Sequence, residues 1–315
     1  MIGKQDPIFL AGHRGLVGSA IYSKLAEAGY TNILVRTRQE LDLMSQAQVD
    51  AFYAEFRPKA AILAAAKVGG IHANRSQPAD FIGENLVIES NVIWGAHRAN
   101  VENLLFLGSS CIYPRETAQP IPEDALLTGK PEPTNAPYAV AKIAGLFLCD
   151  AIAAQYGRNY FTVMPPNAYG DRDNYDLRTS HVLPALIRKF HEALPNRPVT
   201  CWGSGNPRRE FLHASDIADA CVFLLGQPKV EGHVNVGTGT SISIKELAET
   251  IQRIVGHTGP IEWDTSMPDG FPEKTMDVQR LFSMGWRPKL SLEQGIRSAY
   301  TWFQENKAAS AEVLR

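Results

Sequence analysis

The apolar run Ile8-Phe9-Leu10-Ala11 passes without a break into Gly12-His13-Arg14-Gly15-Leu16-Val17-Gly18 and then into a helical stretch that ends near Gly29. Few architectures admit a buried strand that turns through three glycines straight into a helix. The glycines let backbone approach a pyrophosphate and let the helix pack on its strand, while the helix N-terminus offers free N–H groups and the positive end of its dipole. The Gly-x-x-Gly-x-x-Gly spacing says little by itself, but at a strand-to-helix turn it predicts a dinucleotide cradle built from residues 12–18. The fold this demands is α/β, a Rossmann-type doubly wound parallel sheet.

The second strand, Ile33-Leu34-Val35, bears on which dinucleotide is held. An NAD site usually carries an acidic residue near the end of this strand for the ribose 2′-hydroxyl, whereas here Arg36-Thr37-Arg38 follows. Guanidinium groups match a 2′-phosphate in charge and in bidentate geometry, so the expected cofactor is NADPH (NADP when oxidised), with Arg38 as its selector and Arg14 adding to it. Of Arg36 and Arg38, one is expected to be an ordinary solvated charge.

Composition closes off other classes. At 315 residues and 44% hydrophobic content, the chain buries a full core in one large or two modest domains. A net charge of −2 with no block of like charges argues against nucleic acid or a membrane surface as a partner. No apolar run approaches the ~18 residues needed to span a bilayer. The polar start, Met1 to Pro7, runs directly into a strand, so a cytoplasmic protein is expected. The four cysteines, Cys111, Cys149, Cys201 and Cys221, are widely spaced, which suits neither a disulfide framework nor a metal site. At least one is expected to be chemical and three to be core.

Strand and helix alternate up to Gly170, with a helix from about Ser45 to Phe56, a small-residue strand over Ala60–Ala66 and a polar loop opening on Lys67-Val68-Gly69-Gly70. A helix from about Pro78 to Asn100 carries Asn85, Glu89 and Asn91, expected on its surface or reaching toward the site loop. The buried strand Leu104–Leu107 ends in Gly108-Ser109-Ser110-Cys111, at the carboxyl edge where open α/β sheets place ligands. Pro114 to Pro137 reads as a long loop over that edge, and Tyr138 and Lys142 follow, one helical turn apart. Reducing a carbonyl by hydride leaves an alkoxide that needs a proton. A free phenol of pKa ~10 gives one poorly at neutral pH, and a neighbouring ammonium favours the phenolate. Ser109, Tyr138 and Lys142 are therefore a proton-handling set. Their helix is apolar nearly all round as far as Ala153, which predicts burial by the sheet and by another helix, of its own chain or of a second subunit. The next strand, Phe161–Met164, ends in Pro165-Pro166-Asn167-Ala168, again facing the cofactor.

Beyond Gly170 the rhythm changes. Ser180-His181 precedes a helix from about Val182 to Ala193, and the strand Val199–Trp202 leads to Gly203-Ser204-Gly205 and Arg208-Arg209-Glu210-Phe211. Basic residues and a tryptophan in this order suit a nucleoside diphosphate with a stackable base. A helix over Asp216–Leu225, a main-sheet strand over His233–Gly237, and helices near Ile244–Val255 and Leu292–Asn306 complete the expectation, with fraying from about Ala308. Residues 1–170 with about 211–240 form the NADP-binding domain. Residues from about 171–210 and 241–315 form a smaller C-terminal α/β substrate-binding domain.

The strings Gly12–Gly18, Ala64-Ala65-Ala66-Lys67-Val68-Gly69-Gly70-Ile71, Gly108-Ser109-Ser110-Cys111-Ile112-Tyr113-Pro114 and Pro137-Tyr138-Ala139-Val140-Ala141-Lys142-Ile143-Ala144-Gly145 resemble the GDP-L-fucose synthase family of extended short-chain dehydrogenase/reductases. The likeness continues through Ser180-His181, Trp202-Gly203-Ser204-Gly205, Arg209–His213 and Pro268-Asp269-Gly270, and so covers essentially the whole chain. The resemblance implies a homodimer acting on GDP-4-keto-6-deoxy-mannose, epimerised at C3 and C5 and then reduced at C4 by NADPH. It makes Cys111 the base and His181 the acid of the epimerisation, Tyr138 the proton donor to the C4 oxygen, Lys142 its tuner, and Ser109 a hydrogen-bond partner of the ketone. Leu107, Gly108, Ser109, Ser110, Lys142, Pro165, Pro166, Asn167, Ala168 and His181 then line the cofactor, beside Gly12, His13, Arg14, Gly15, Leu16, Val17, Gly18 and Arg38. Lys189, Trp202, Arg209, Asp269 and Lys274 hold the substrate. There are two departures from the pattern. Lys189 stands where an arginine is familiar, giving a point charge for a fork, and Pro166 replaces a threonine, removing a hydroxyl and an N–H. The rivals are a sister enzyme of the colitose or deoxyheptose pathways, an NAD-retaining nucleotide-sugar epimerase or dehydratase, and a redox-sensing regulator on the same fold. A dehydratase tends to show an acidic pair where Ser110-Cys111-Ile112 stands, and a regulator is expected to lose Tyr138 or Lys142.

Overall fold

The computed structural model describes residues 2–267, 269 and 272–310. The first part runs β1 (Ile8–Ala11), α1 (Leu16–Glu27), β2 (Ile33–Leu34), α2 (Gln46–Phe56), β3 (Ala60–Leu63), α3 (Ile71–Ser76), α4 (Pro78–Arg98), β4 (Asn103–Leu107), α5 (Ala136–Tyr156) and β5 (Asn159–Met164). Then follow β6 (Asn167–Tyr169), α6 (Val182–Glu192), β7 (Val199–Trp202), β8 (Arg208–Arg209), β9 (Phe211–His213), α7 (Ala214–Leu225) and β10 (His233–Asn235). The remainder is β11 (Ile242–Ser243), α8 (Ile244–Val255), β12 (Ile261–Asp264), β13 (Glu273–Lys274), α9 (Gln279–Ser283) and α10 (Leu292–Ser310).

The main sheet has the order β10-β5-β4-β3-β1-β2, and every neighbour pairs in parallel. This is the doubly wound α/β architecture expected. Strand order reverses between β1 and β3, and a ligand crevice opens at such a switch point, outside the carboxyl ends of the strands. β1 and β3 are buried at every position, which explains their unbroken apolar runs: helices cover both faces. Ile21 and Leu25 of α1 meet Ile217, Ala218, Cys221 and Leu224 of α7 on one face. Val49, Phe52 and Tyr53 of α2, Val92, Ile93 and Ala96 of α4, and Cys149 and Ile152 of α5 cover the other. His233–Asn235 joins this sheet beside β5.

A third apolar cluster gathers the later elements. Leu183, Leu186, Ile187 and Phe190 form one stripe of α6 and pack with Val199 and Cys201 of β7, Leu247, Ala248 and Ile251 of α8, and Ile296, Ala299 and Phe303 of α10. α8 begins with a capping box, Ser243 and Glu246 satisfying each other's backbone N–H groups, and β7 pairs only with β12, outside the main sheet.

Three local expectations change. The long loop 114–137 is pinned at its centre. Ile121 is fully buried with Met276, Val278 and Tyr113, and its N–H and C=O bond Thr275 O and Asp277 N. Asn85 and Glu89 leave the helix surface for the interior, 0% and 2% exposed. α5 is long and apolar enough to cross a membrane, the one such helix among the described residues. It packs on the sheet instead, with Ala139, Lys142, Gly145, Leu146 and Cys149 buried. The fraying expected from Ala308, and Pro268 and Gly270 of the expected substrate loop, fall largely outside the described residues.

Candidate active site

The glycine loop sits at the switch point, and its three glycines answer to different constraints. Gly12, at φ 91°, lies against the end of β3, where a Cβ would fall 2.6 Å from Ala65 N. At Gly18 a Cβ would fall 2.0 Å from Gly12 O, so only glycine lets α1 close on the loop. Gly15 is the N-cap of α1, exposed, and a Cβ there would meet nothing nearer than Gly12 O at 3.5 Å. No protein atom requires that glycine, so the space it leaves is outward, toward a ligand. α1 has no side-chain cap and no acidic residue in its first turn, which keeps its leading N–H groups and dipole available to phosphate. Of the two arginines after β2, Arg36 is engaged: it donates to Val35 O at 2.7 Å and stacks over Phe56 at 4.5 Å. Arg38 is exposed, as is Arg14 in the loop. A dinucleotide with a 2′-phosphate fits these residues.

At the end of β4 the chain turns through Ser110–Ile112, where Ser109 Oγ accepts from Cys111 N at 3.2 Å and Ser110 N donates to Pro165 O at 3.1 Å. Gly108 packs against Met164, where a Cβ would fall 2.5 Å from Sδ and displace that side chain. Ser109 also hydrogen-bonds the Tyr138 phenol, and Cys111 stands close enough to act on it. Lys142 is 2% exposed; its Nζ donates to Leu107 O at 3.0 Å and pairs with Glu89 Oε1 at 3.2 Å. Burial pushes the Tyr138 phenol well up, Cys111 and Glu89 adding to it and Ser109 opposing. Lys142 Nζ lies 5.8 Å from the Tyr138 ring centre and is not among the groups that lower the phenol, so the lowering expected from it is not found.

Cys111 is half-buried, while Cys149, Cys201 and Cys221 are buried, the three core cysteines expected. Facing Cys111 are Arg209 and Lys274, adjacent across the β8–β13 ladder. Burial pushes the Lys274 ammonium down, and Cys111 and Glu132 pull it back up. Glu132, from the loop ahead of α5, acts on Arg209 as well. His181 is the N-cap of α6 with its side chain uncommitted to the helix. It is open to solvent at one side, yet the crowding walls desolvate its imidazole and hold it below its ordinary value. Gly70 touches the backbone just ahead of it: its N–H bonds Thr179 O at 3.1 Å, and a Cβ would fall 3.1 Å from Ser180 O.

Farther out, Trp202 is 63% exposed, and Lys189 Nζ lies 5.5 Å from its ring centre while donating to Thr200 O. Asp269 accepts from Ser204 N and Oγ at 2.8 and 2.7 Å, and Gly203 (φ 79°) leaves room for that carboxylate. The Asp269 carboxylate and Cys111 both act electrostatically on Arg209. Of the residues expected beside the cofactor, Asn167 is committed inward, its amide donating to Glu210 O at 2.8 Å.

Sequence reasoning gave no role to two carboxylates, Glu132 and Glu210, and placed a third, Glu89, only on the helix surface or reaching toward the site loop. Glu210 is fully buried and accepts from Thr238 N, Thr238 Oγ1, Gly239 N and Met276 N. Its signal was a lone acid between Arg209 and the apolar Phe211-Leu212. That of Glu89 was an acid amid apolar residues four positions after Asn85, on one helix face.

Known proteins fit this geometry. Residues 8–237 match the model of the NAD dependent epimerase/dehydratase family. A putative GDP-L-fucose synthase 2 of Arabidopsis thaliana is 56% identical over 97% of this chain and 94% of its own. The GDP-L-fucose synthase of Escherichia coli is 51% identical over 95% and 97%. A GDP-mannoheptose C4 reductase from Campylobacter jejuni, solved with NADP bound, superposes with a TM-score of 0.89 at 36% identity over 96% of this chain and all of that one. The chain belongs to the NAD dependent epimerase/dehydratase family and, within it, to the GDP-L-fucose synthases.

Proposed function

We propose that this chain converts GDP-4-keto-6-deoxy-D-mannose to GDP-L-fucose, inverting C3 and C5 and then reducing C4. The observation that carries this is the convergence of a partly exposed thiol, Cys111, with the Ser109–Tyr138–Lys142 set and the cations Arg209 and Lys274 at one sheet edge. A 4-ketone acidifies both neighbouring C–H bonds, so the same group serves two exchanges and is then consumed by reduction. At C3 and C5 in turn, Cys111 takes the proton and His181 returns one from the other face, exchange with solvent resetting both groups between the two inversions. A desolvated imidazole holds its proton weakly, which suits an acid. Residues 12–18, Arg38 and the edge from Leu107 to Ser110 would hold NADPH, which when bound would supply the hydride for C4. Tyr138 gives its proton to the C4 oxygen, Ser109 fixes that oxygen, and Lys142 stabilises the tyrosinate left behind. Arg209 and Lys274 suit the diphosphate, with Lys189 as a point charge and the exposed Trp202 face for the base. Residues 1–170 with about 211–240 serve the cofactor, and the rest serves the substrate.

The assignment extends to a cytoplasmic homodimer. Free cysteines suit a reducing compartment. Val140, Phe147 and Tyr156 on α5 with Leu86, Val87 and Trp94 on α4 are large apolar side chains left exposed on adjoining helices, a face that suits a second copy.

Incubation with GDP-4-keto-6-deoxymannose and NADPH in deuterated water, followed by NMR of the product, tests the proposal. GDP-L-fucose deuterated at C3 and C5 is expected; a singly inverted sugar, an uninverted one or unchanged substrate overturns it. Cys111→Ser should stop deuterium uptake with NADPH binding intact, while Tyr138→Phe should keep the uptake and slow reduction by about 10²–10⁴-fold.

A further inference from the structure

Behind Tyr138 and Lys142 stands a buried carboxylate that the reaction just described leaves unused. Glu89 on α4 and Lys142 on α5 are each 2% exposed and 3.2 Å apart. Lys142 Nζ also bonds Leu107 O at 3.0 Å and lies 4.5 Å over the Phe106 ring, so its head group is held from three directions. Space for the carboxylate is made by α5 itself: a Cβ at Gly145 would fall 2.8 Å from Glu89 Oε2 and 2.7 Å from Phe106. Glycine inside a helix is otherwise an unfavourable choice. Lys142 Nζ, at 3.2 Å, is the donor within reach of the Glu89 carboxylate, and the pair is joined by charge and by that hydrogen bond.

Burial drives an isolated ammonium to shed its proton and an isolated carboxylate to keep one. Both tendencies are visible: burial pushes Lys142 down and Glu89 up to about 7, and each partner opposes the shift of the other. The groups facing Glu89 are Lys142, Tyr138 and Cys149 from α5, with Cys111 beyond Tyr138. β4 contributes only the Phe106 ring and the Leu107 carbonyl, and no charge from α2, α3 or β3 acts on it among the described residues. Lys142 is the single cation there, hence the one group whose charge Glu89 sustains.

We propose that Glu89 is a positioning residue for the reduction step, its carboxylate keeping Lys142 charged and fixed beside Tyr138. This rests on Tyr138 and Lys142 being the proton-delivering pair. Without the carboxylate, Lys142 loses its proton at a lower pH, and the tyrosinate formed when Tyr138 protonates the C4 oxygen loses its counter-charge.

The test is the pH profile of single-turnover NADPH oxidation for wild type, Glu89→Gln and Glu89→Asp, with deuterium uptake at C3 and C5 measured in parallel. In Glu89→Gln the falling limb at high pH should move down by about one unit or more, slowing reduction about tenfold where the wild type is still active. Glu89→Asp, charged but shorter, should place the limb in between, and deuterium uptake should persist in both. A limb that stays put, or a uniform loss at every pH, overturns the proposal. Should Glu89→Gln fail to fold, Glu89→Asp decides alone, since its limb must lie below that of the wild type. A wild-type protein showing neither exchange nor reduction would overturn the proposed function instead, an outcome distinct from an unshifted limb in an active enzyme.

Discussion

The three glycines of the segment 12–18 look equivalent in the sequence and are not. Gly18 is fixed by the protein, because its missing Cβ would strike a backbone carbonyl that cannot move without opening the loop. Gly15 is left open by the protein and is claimed only by what binds. Gly18→Ala should therefore destabilise the fold by about 1–3 kcal/mol, the overpacking penalty exceeding the ~1 kcal/mol that alanine gains over glycine in a helix. Gly15→Ala should leave the melting temperature near that of wild type and weaken NADPH binding. Thermal melts and a fluorescence titration check the pair, and equal melting losses would show that Gly15 too is structural. The same distinction holds at Lys142. Its spacing from Tyr138 was legible, but its counter-charge Glu89, fifty-three positions earlier, was legible only as an odd acid on an apolar helix.

Among the elements, β8 and β13 are two residues each and hold two of the cations that face Cys111. Strands so short have little stability of their own. Glu210 supplies it from below: by accepting from Met276 N on one side and from Thr238 and Gly239 on the other, it ties the chain after β13 to the chain after β10. Glu210→Gln puts an amide donor where only acceptors serve, at a cost of about 1–3 kcal/mol for the unpaired buried group. The expected result is a lower melting temperature and a raised KM for the GDP-sugar, with the KM for NADPH unchanged. A KM that does not move while stability falls would remove Glu210 from the positioning of Arg209 and Lys274.

For the whole molecule, α4 and α5 decide what lies outside. Their inner faces bury Asn85, Glu89, Lys142 and Cys149 against the sheet, and their outer faces leave Phe147 48% and Trp94 37% exposed. A helix nearly apolar all round needs cover on two sides. On the proposed homodimer, Phe147→Glu should shift the protein from dimer to monomer in analytical ultracentrifugation at micromolar concentration, with folding retained. A variant that sediments as the wild-type dimer does removes this face from the proposed contact, and a monomeric wild type overturns the dimer itself.

Periodicity and glycine spacing determined the parallel sheet, the phosphate loop at its edge and the strand end that carries Ser109 and Cys111, because these depend on residues close together in the chain. The spacing of Tyr138 and Lys142, one helical turn apart, was legible for the same reason, while His181 was singled out only by the family resemblance. What only the tertiary structure decided are the pairings that join distant segments: Glu89 with Lys142, Glu210 with the chain at 238 and 276, Gly70 with the backbone ahead of His181, and Arg36 spent on an aromatic stack while Arg38 stays exposed. A buried charge finds its partner across the fold, and no local pattern in the chain records which one it will be.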